Sequence, residues 1–290
     1  MESMLTAPEN EKQRRYWNEN GGAAWTSLQD NLDRQLGPLG DAALAAARLQ
    51  PGERVLDVGC GCGHTSLQAS RMVSPGGRVV GVDISAPMID RATERANAEG
   101  LDNVSFALGD AQVCSADLVG GVVDVVVSRF GVMFFADPVA AFANLAALTR
   151  SGGRIAFVCW QSDDKNGWSA PMRAELFTIF PDQPIPGPND PGPFSLADPT
   201  RTRELLESGG WVDVCLNEHA QPIQVFGTTN FDQAVTGMLL IGGASRLLTD
   251  ATDAQRGDTH AAARRVIQAM WTEHGAIADA TCWIVTARRP

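Results

Sequence analysis

Short valine-rich runs recur between residues 55 and 160, separated by longer stretches whose apolar positions repeat every three to four residues. The short runs, Val55–Val58, Val79–Asp83, Val104–Leu108, Val122–Ser128 and Arg154–Trp160, read as strands. Val122-Val123-Asp124-Val125-Val126-Val127 is β-branched enough to be covered on both faces. The longer stretches predict helices over Thr65–Met72, Ala86–Glu99 and Pro138–Leu148. Such alternation predicts an α/β fold built on a doubly wound parallel sheet. Ahead of it, the first fifty residues read as helical, Glu9 to Asn20 and then Leu32 to Leu49, with Pro38 as an interruption.

After Trp160 the pattern changes. A helix over Ala170–Phe180 leads into 181–193, where six prolines remove backbone donors and forbid helix or inner strand. That stretch is expected to be a loop over the site. Thr200–Ser208, Phe231–Ile241 and Ala261–Trp271 read as helices, Val212–Glu218 and Thr281–Ala287 as strands.

The chemistry concentrates where the first strand ends. Asp57-Val58-Gly59-Cys60-Gly61-Cys62-Gly63-His64 is a glycine turn leading into a helix, so the backbone can fold sharply and approach a ligand without side chains between. Asp83 lies twenty positions after Gly63, at the end of the second strand, where a βαβ unit brings a carboxylate beside the turn. This pair suits an adenosine-type ligand, with Asp83 accepting hydrogen bonds from ribose hydroxyls. A dinucleotide fingerprint would need its third glycine where His64 stands.

With the acid two places before the first glycine, the turn instead resembles the first motif of class I S-adenosylmethionine-dependent methyltransferases. The resemblance continues through Gly81-Val82-Asp83-Ile84-Ser85-Ala86-Pro87-Met88-Ile89, Gly109-Asp110-Ala111, Ser128-Arg129-Phe130-Gly131-Val132-Met133-Phe134-Phe135 and Ser151-Gly152-Gly153-Arg154. It covers roughly positions 50 to 160 and looks most like the ubiquinone/menaquinone C-methylase-like branch of small-molecule enzymes. It implies a Rossmann-like seven-stranded sheet whose last two strands form an antiparallel hairpin. Residues 1–50 would then be a helical cover, and 51–290 the methyltransferase domain, with substrate-covering insertions at about 161–200 and 220–280.

The resemblance also implies cofactor contacts from Asp57, Gly59, Cys60, Gly61, Gly63, His64, Asp83 and Ile84. Asp57 either fixes the cofactor's amino group from behind the turn or only braces the turn. Met88 either faces the adenine ring or fills the core face of its helix. In Gly109-Asp110-Ala111 the carboxylate looks like the acceptor for the adenine amino group, or a helix cap. Ser128 and Arg129 would contact the methionine part through their backbone. Phe130, Met133 and Phe134 either line the acceptor pocket or pack the core, and Trp160 and Trp168 would wall it. Trp17 and Trp25, beside the single tyrosine Tyr16, either meet the sulfonium through cation–π attraction or staple the first helix.

Methyl transfer from a sulfonium is a displacement on an already activated carbon, so alignment and exclusion of water matter more than a protein nucleophile. A general base is needed only where the acceptor must lose a proton, and His219 is the one candidate among four histidines. Asp163-Asp164 with Asn166 resembles the magnesium ligands of catechol methyltransferases, but Ser128-Arg129 stands where a further aspartate is required, so no metal is expected.

Net charge −11 argues against a nucleic-acid surface and against anionic membranes. No apolar run could span a bilayer and the start of the chain is polar, so a cytoplasmic protein without an anchor is expected. The six cysteines, at 60, 62, 114, 159, 215 and 282, match neither zinc-site nor disulfide spacing. The reading that follows is a methyltransferase for a small organic acceptor, carbon or oxygen favoured, using S-adenosyl-L-methionine and releasing S-adenosyl-L-homocysteine. The rivals are a non-catalytic S-adenosylmethionine-binding regulator and a nicotinamide-dependent oxidoreductase.

Overall fold

The structure, a computed structural model, describes residues 6–19, 21–184 and 187–290. Asn20, the expected end of the first helix, and Ile185–Pro186 of the proline-rich loop lie outside the described residues. The strands are β1 (Arg54–Val58), β2 (Arg78–Asp83), β3 (Val104–Leu108), β4 (Val123–Arg129), β5 (Thr149–Trp160), β6 (Val212–Gln224), β7 (Trp271–Thr272) and β8 (Gly275–Arg288). They run in the order β3-β2-β1-β4-β5-β8-β6, with the two-residue β7 pairing onto β8. The first five are mutually parallel, and β8 is antiparallel to both β5 and β6. This is the Rossmann-like sheet with a reversed final strand that the sequence predicted.

Alternating strand residues feed two cores. Val55, Val79, Val125, Val127 and Ala156 pack under Leu44 and Ala47 of α3 (Gln29–Ala47) and Ala69 of α4 (His64–Met72). The opposite parity, Leu56, Val126, Ile155 and Phe157, meets Phe142 and Leu145 of α6 (Pro138–Leu148) and Leu206 of α8 (Pro199–Ser208). Period-two burial on both faces is what a sheet covered by helices requires. Trp211 closes the second core, its Nε1–H donating to the Phe142 carbonyl at 2.9 Å.

The remaining helices build a layer beside the strand ends. They are α1 (Glu11–Glu19), α2 (Gly21–Ser27), α7 (Ala170–Ile179), α9 (Phe231–Leu240), α10 (Gly243–Leu248) and α11 (Asp253–Met270), while α5 (Ala86–Ala98) packs on β2 and β3. A third core joins Leu32 of α3 to Leu176 of α7, Met238 of α9 and Ile267 of α11.

Several elements depart from expectation, among them a longer β5, a longer β6 and the additional helix α10, and three show the reason. Helix α3 runs unbroken through Pro38, because buried Leu36, Leu39, Ala43 and Leu44 hold both halves onto the sheet. Helix α11 starts eight residues earlier than expected, at a capping box in which Thr252 and Gln255 satisfy each other's backbone N–H groups. Strand β8 begins six residues early, through Ala276, Ala278 and Ala280, whose small side chains carry no β-branched signature.

Candidate active site

Parallel strands deliver their carboxyl ends to one edge of the sheet, and the crevice there lies where the strand order reverses, between β1 and β4. Gly59 and Gly131 meet across it. A Cβ on Gly131 would stand 2.4 Å from the Val58 carbonyl oxygen, and one on Gly59 2.6 Å from the Gly131 Cα. Gly59 and Gly61 also sit at φ of 63° and 54°, where other residues are strained. The two strand-end loops therefore approach backbone to backbone, leaving a groove floored by main chain.

Asp83 closes one side of this groove. Its Oδ2 accepts the Gly61 N–H at 2.8 Å and its Oδ1 the Ser85 N–H at 2.9 Å. Each oxygen keeps a lone pair for a further donor. Burial pushes its carboxyl up to about 6, against the pull of the backbone donors. Behind the turn, burial pushes fully buried Asp57 up to about 7, although Ser66 donates to its Oδ2 at 2.6 Å. Asp57 Oδ1 has no partner among the described residues.

On the opposite side Arg129 reaches toward α3, where its Nη2 meets Asp33 Oδ1 at 3.0 Å. Gly40 permits this, since a Cβ there would fall 2.8 Å from Arg129 Cδ. Asp33 also holds Arg95 at 3.0 Å and His64 Nδ1 at 3.3 Å. Burial works against its ionisation, but the His64 hydrogen bond and the two arginines outweigh it and hold the carboxyl well below its ordinary range. Arg129 Nη1 is left buried without an acceptor. Arg129 lines the groove and its unpartnered guanidinium donor suits a ligand carboxylate, whereas Asp57 acts only from behind the glycine turn.

The first helices are fastened over the groove by hydrogen bonds as well as by aromatic contacts. Asp110 Oδ2 accepts the Ala7 N–H at 3.0 Å and Asn10 Nδ2 at 2.9 Å. Asn18 bridges the β2 exit, donating to the Ile84 carbonyl and accepting from the Ala86 N–H. Ser85 Oγ donates to the Trp17 carbonyl.

From this cradle one cavity of about 540 Å³ runs outward beneath α7 and α10. Gly59, Cys60, Gly61, Asp83, Ile84, Met88, Gly109, Asp110, Ala111 and Arg129 line it, with Trp17 and Trp25. Asp57, Gly63, His64 and Ser128 stand behind its wall; Ser128 Oγ donates to the Val58 carbonyl and accepts from the Gly131 N–H. Phe130, Met133, Phe134, Trp160 and Trp168 line the outer part. Phe130 and Trp160 stack at 4.2 Å and 15°, with Phe130 held at φ 60°. A non-glycine residue in that region is strained, and here the strain turns its ring onto Trp160.

The structure does not bring His219 to the site. It sits on edge strand β6 opposite Cys282, away from the cavity wall, because side chains on that strand answer to the β8 register. Asn10, Asn18, Asp33 and Arg95 went unnoticed in the sequence. Their roles depend on α1 and α3 folding back over strand ends some seventy to a hundred residues later, and no local pattern signals that. Among the described residues no cluster of His, Cys, Asp or Glu could hold a metal, and no helix is long and apolar enough to cross a membrane.

Comparisons with known proteins bear on the stretch that carries these strand-end loops. Residues 49–174 match a family described as a methyltransferase domain. An aklanonic acid methyltransferase of Streptomyces sp. (strain C5) is 34% identical over 149 residues, 51% of this chain and 62% of that protein. A nocamycin O-methyltransferase of Saccharothrix syringae is 41% identical over 106 residues, 37% of each chain. The matched stretch thus spans less than two thirds of either relative. A crystal structure of a putative methyltransferase from Bacillus halodurans C-125 superposes over 87% of this chain and 98% of its own, with TM-score 0.55 at 15% identity, which shows the shared fold.

Proposed function

From an S-adenosylmethionine-dependent methyltransferase domain over residues 49–174, we propose that the whole chain transfers a methyl group to a small organic molecule, on carbon or oxygen. One observation carries the reading: a single cavity joins the Gly59–Asp83–Asp110 cradle to an aromatic compartment walled by Phe130, Trp160 and Trp168. The resemblance to the ubiquinone/menaquinone C-methylase-like branch belongs to this proposal.

The bound cofactor supplies an activated methyl carbon, and the chain's residues do the rest. Asp83 accepts from the ribose hydroxyls, Met88 and Ala111 flank the adenine, and Asp110 receives its amino group. Arg129 Nη1 donates to the carboxylate of the methionine part, held in place by Asp33, while Asp57 favours the ammonium from behind the turn. Trp17 and Trp25 pack over the reacting end, and residues 1–50 with the segments at about 161–200 and 220–280 cover the site and exclude water.

Turnover of S-adenosylmethionine to S-adenosylhomocysteine against a metabolite library tests the reading. Tight binding without turnover on any acceptor would favour the regulatory alternative.

Two further outcomes are expected. Trp17→Ala should lower turnover by about tenfold, roughly 1.4 kcal/mol of transition-state stabilisation, with little change in Tm, since it removes a wall and no part of the sheet. Equal losses of activity and Tm would make Trp17 a structural staple only. The second outcome concerns pH. Asp57 and Asp83 have carboxyls raised to about 7 and 6, so their contribution to the free protein's stability is complete below about pH 4 and is lost as pH rises through 6 to 7. A ligand carrying an ammonium and ribose donors prefers them ionised. S-Adenosylhomocysteine should therefore bind more tightly, and raise Tm more, at pH 8 than at pH 5.5. Calorimetry showing equal affinity at both values would refute this coupling.

A further inference from the structure

The outer compartment is aromatic and lacks a base. The stack of Phe130 on Trp160 continues through Trp168, 4.8 Å from Trp160, to Phe194. Trp17 and Phe134 present an edge-to-face pair at 5.4 Å. Flat apolar walls of this kind select a planar π-system. Among the described residues, no His, Glu or Lys lines the cavity. Its four aspartates are engaged. Asp33 is bound to two arginines and His64, and Asp83 and Asp110 hold backbone donors in the cradle. Asp190 is exposed at the rim with Oδ2 taken by the Gly187 N–H. Burial holds the Cys60 and Cys62 thiols up, the latter to about 11, so neither can take a proton at neutral pH.

The cations lining the cavity are not all neutralised. Arg129 is paired with Asp33, and Arg173 with Asp163 at 3.1 Å. Arg246 of α10 has no carboxylate partner among the described residues, and its guanidinium lies 4.2 Å over the Tyr16 ring. A planar face and a bidentate donor are thus offered together to an incoming anion.

Resting on the methyltransferase reading above, we infer that the acceptor is a planar aromatic acid which enters as its anion, guided by Arg246, and is methylated on an oxygen already ionised in solution. The acceptor oxygen forms the new C–O bond as the methyl carbon's bond to sulfur breaks, and that electron pair stays on sulfur. The anion and the sulfonium become a neutral ester or ether and a neutral thioether. No proton is left to remove, so a compartment without a base suffices. An aliphatic alcohol or an aromatic carbon would need one.

The test uses the full chain at saturating S-adenosylmethionine between pH 7 and 9, with anthracene-2-carboxylate, its carboxamide, the matching 2-hydroxymethyl alcohol and 2-naphthol. Carboxylic acids ionise near pH 4 and phenols near pH 10, both approximate. The carboxylate should be methylated at a pH-independent rate, and kcat/KM for 2-naphthol should rise about tenfold per pH unit, following the acceptor's own ionisation. The alcohol and amide should give no product. Arg246→Gln should raise KM for the carboxylate about tenfold with kcat nearly constant, and leave binding of the neutral carboxamide, read by tryptophan quenching, unchanged.

Methylation of the alcohol, a flat naphthol profile, or an unchanged carboxylate KM in the variant would overturn the inference. Should none of the four be turned over, tryptophan quenching with S-adenosylhomocysteine bound decides the matter: equal affinity for acid and amide overturns it, and tighter acid binding that weakens in Arg246→Gln upholds the acceptor class. Failure of S-adenosylhomocysteine to bind at all, read separately by calorimetry, would instead strike at the methyltransferase reading.

Discussion

Asp83→Ala is expected to weaken S-adenosylhomocysteine binding by about 2–4 kcal/mol, roughly 30- to 800-fold. The carboxylate does two things at once. It offers one free lone pair per oxygen to the ribose, and it uses the others to hold Gly61 N–H and Ser85 N–H at 2.8 and 2.9 Å. Alanine removes both the acceptors and the tie that keeps the glycine turn against the end of β2. Asp83→Asn is the informative companion. Its amide keeps the shape, but its NH2 must face either the Gly61 or the Ser85 donor, so the turn loosens although the side chain is nearly isosteric. Binding should fall in both variants while far-ultraviolet circular dichroism stays that of the parent. Unchanged affinity by calorimetry in Asp83→Ala would remove the cradle from the proposed site.

The sheet was legible because its strands are self-contained signals. Val122–Ser128 needs no distant partner to read as a doubly covered strand, and register follows once the alternation is fixed. What escaped was set by tertiary context. Pro38 is unfavourable inside an isolated helix, but burial of Leu36, Leu39 and Leu44 on either side of it outweighs the lost hydrogen bond. The alanines of early β8 are strand only because distant partners pair with them, β6 with Ala278 and Ala280 and β7 with Ala276.

The site divides in the same way. Residues at strand ends come in contiguous motifs, so Gly59 and Asp83 could be placed from spacing, and Asp110 from the resemblance of its short motif. Asp33 could not. It has the look of a solvated helix carboxylate, and only the close approach of α3, through Gly40 to Arg129, makes it the counterion of three cationic or titratable partners. His219 was singled out for its place at the expected end of a strand in the final hairpin, but β6 runs on to Gln224 as an edge strand and carries it away from the crevice.

Asp110→Ala should have the widest consequences, because this carboxylate belongs to the proposed adenine site and to the anchor of the first helix together. Its Oδ2 holds Ala7 N–H and Asn10 Nδ2, and its Oδ1 holds Gln112 N–H at 2.9 Å. Asn10 in turn accepts the Ala136 N–H, and Gln112 Oε1 accepts from Asn10 and from the Asp137 N–H. Asn10, Asp110 and Gln112 are each only 3% exposed. Donors stranded in such a place cost about 1–3 kcal/mol apiece, partly relieved where water can enter. The variant is therefore expected to lose about 2–4 kcal/mol of stability, to exchange amide hydrogens faster across residues 6–19, and to bind S-adenosylhomocysteine weakly. Asn10→Ala separates the two duties. It leaves Asp110 free to accept from adenine, so affinity should fall by no more than about 1 kcal/mol, while exchange across the same residues should rise nearly as much as in Asp110→Ala. In the parent protein, S-adenosylhomocysteine should slow that exchange, since ligand and helix lean on one carboxylate and each holds it in position for the other. Hydrogen exchange followed by mass spectrometry reads all three. Unaltered exchange across 6–19 in Asp110→Ala would show that the aromatic contacts of Trp17 alone fasten the first helix, and that its closure is independent of the adenine site.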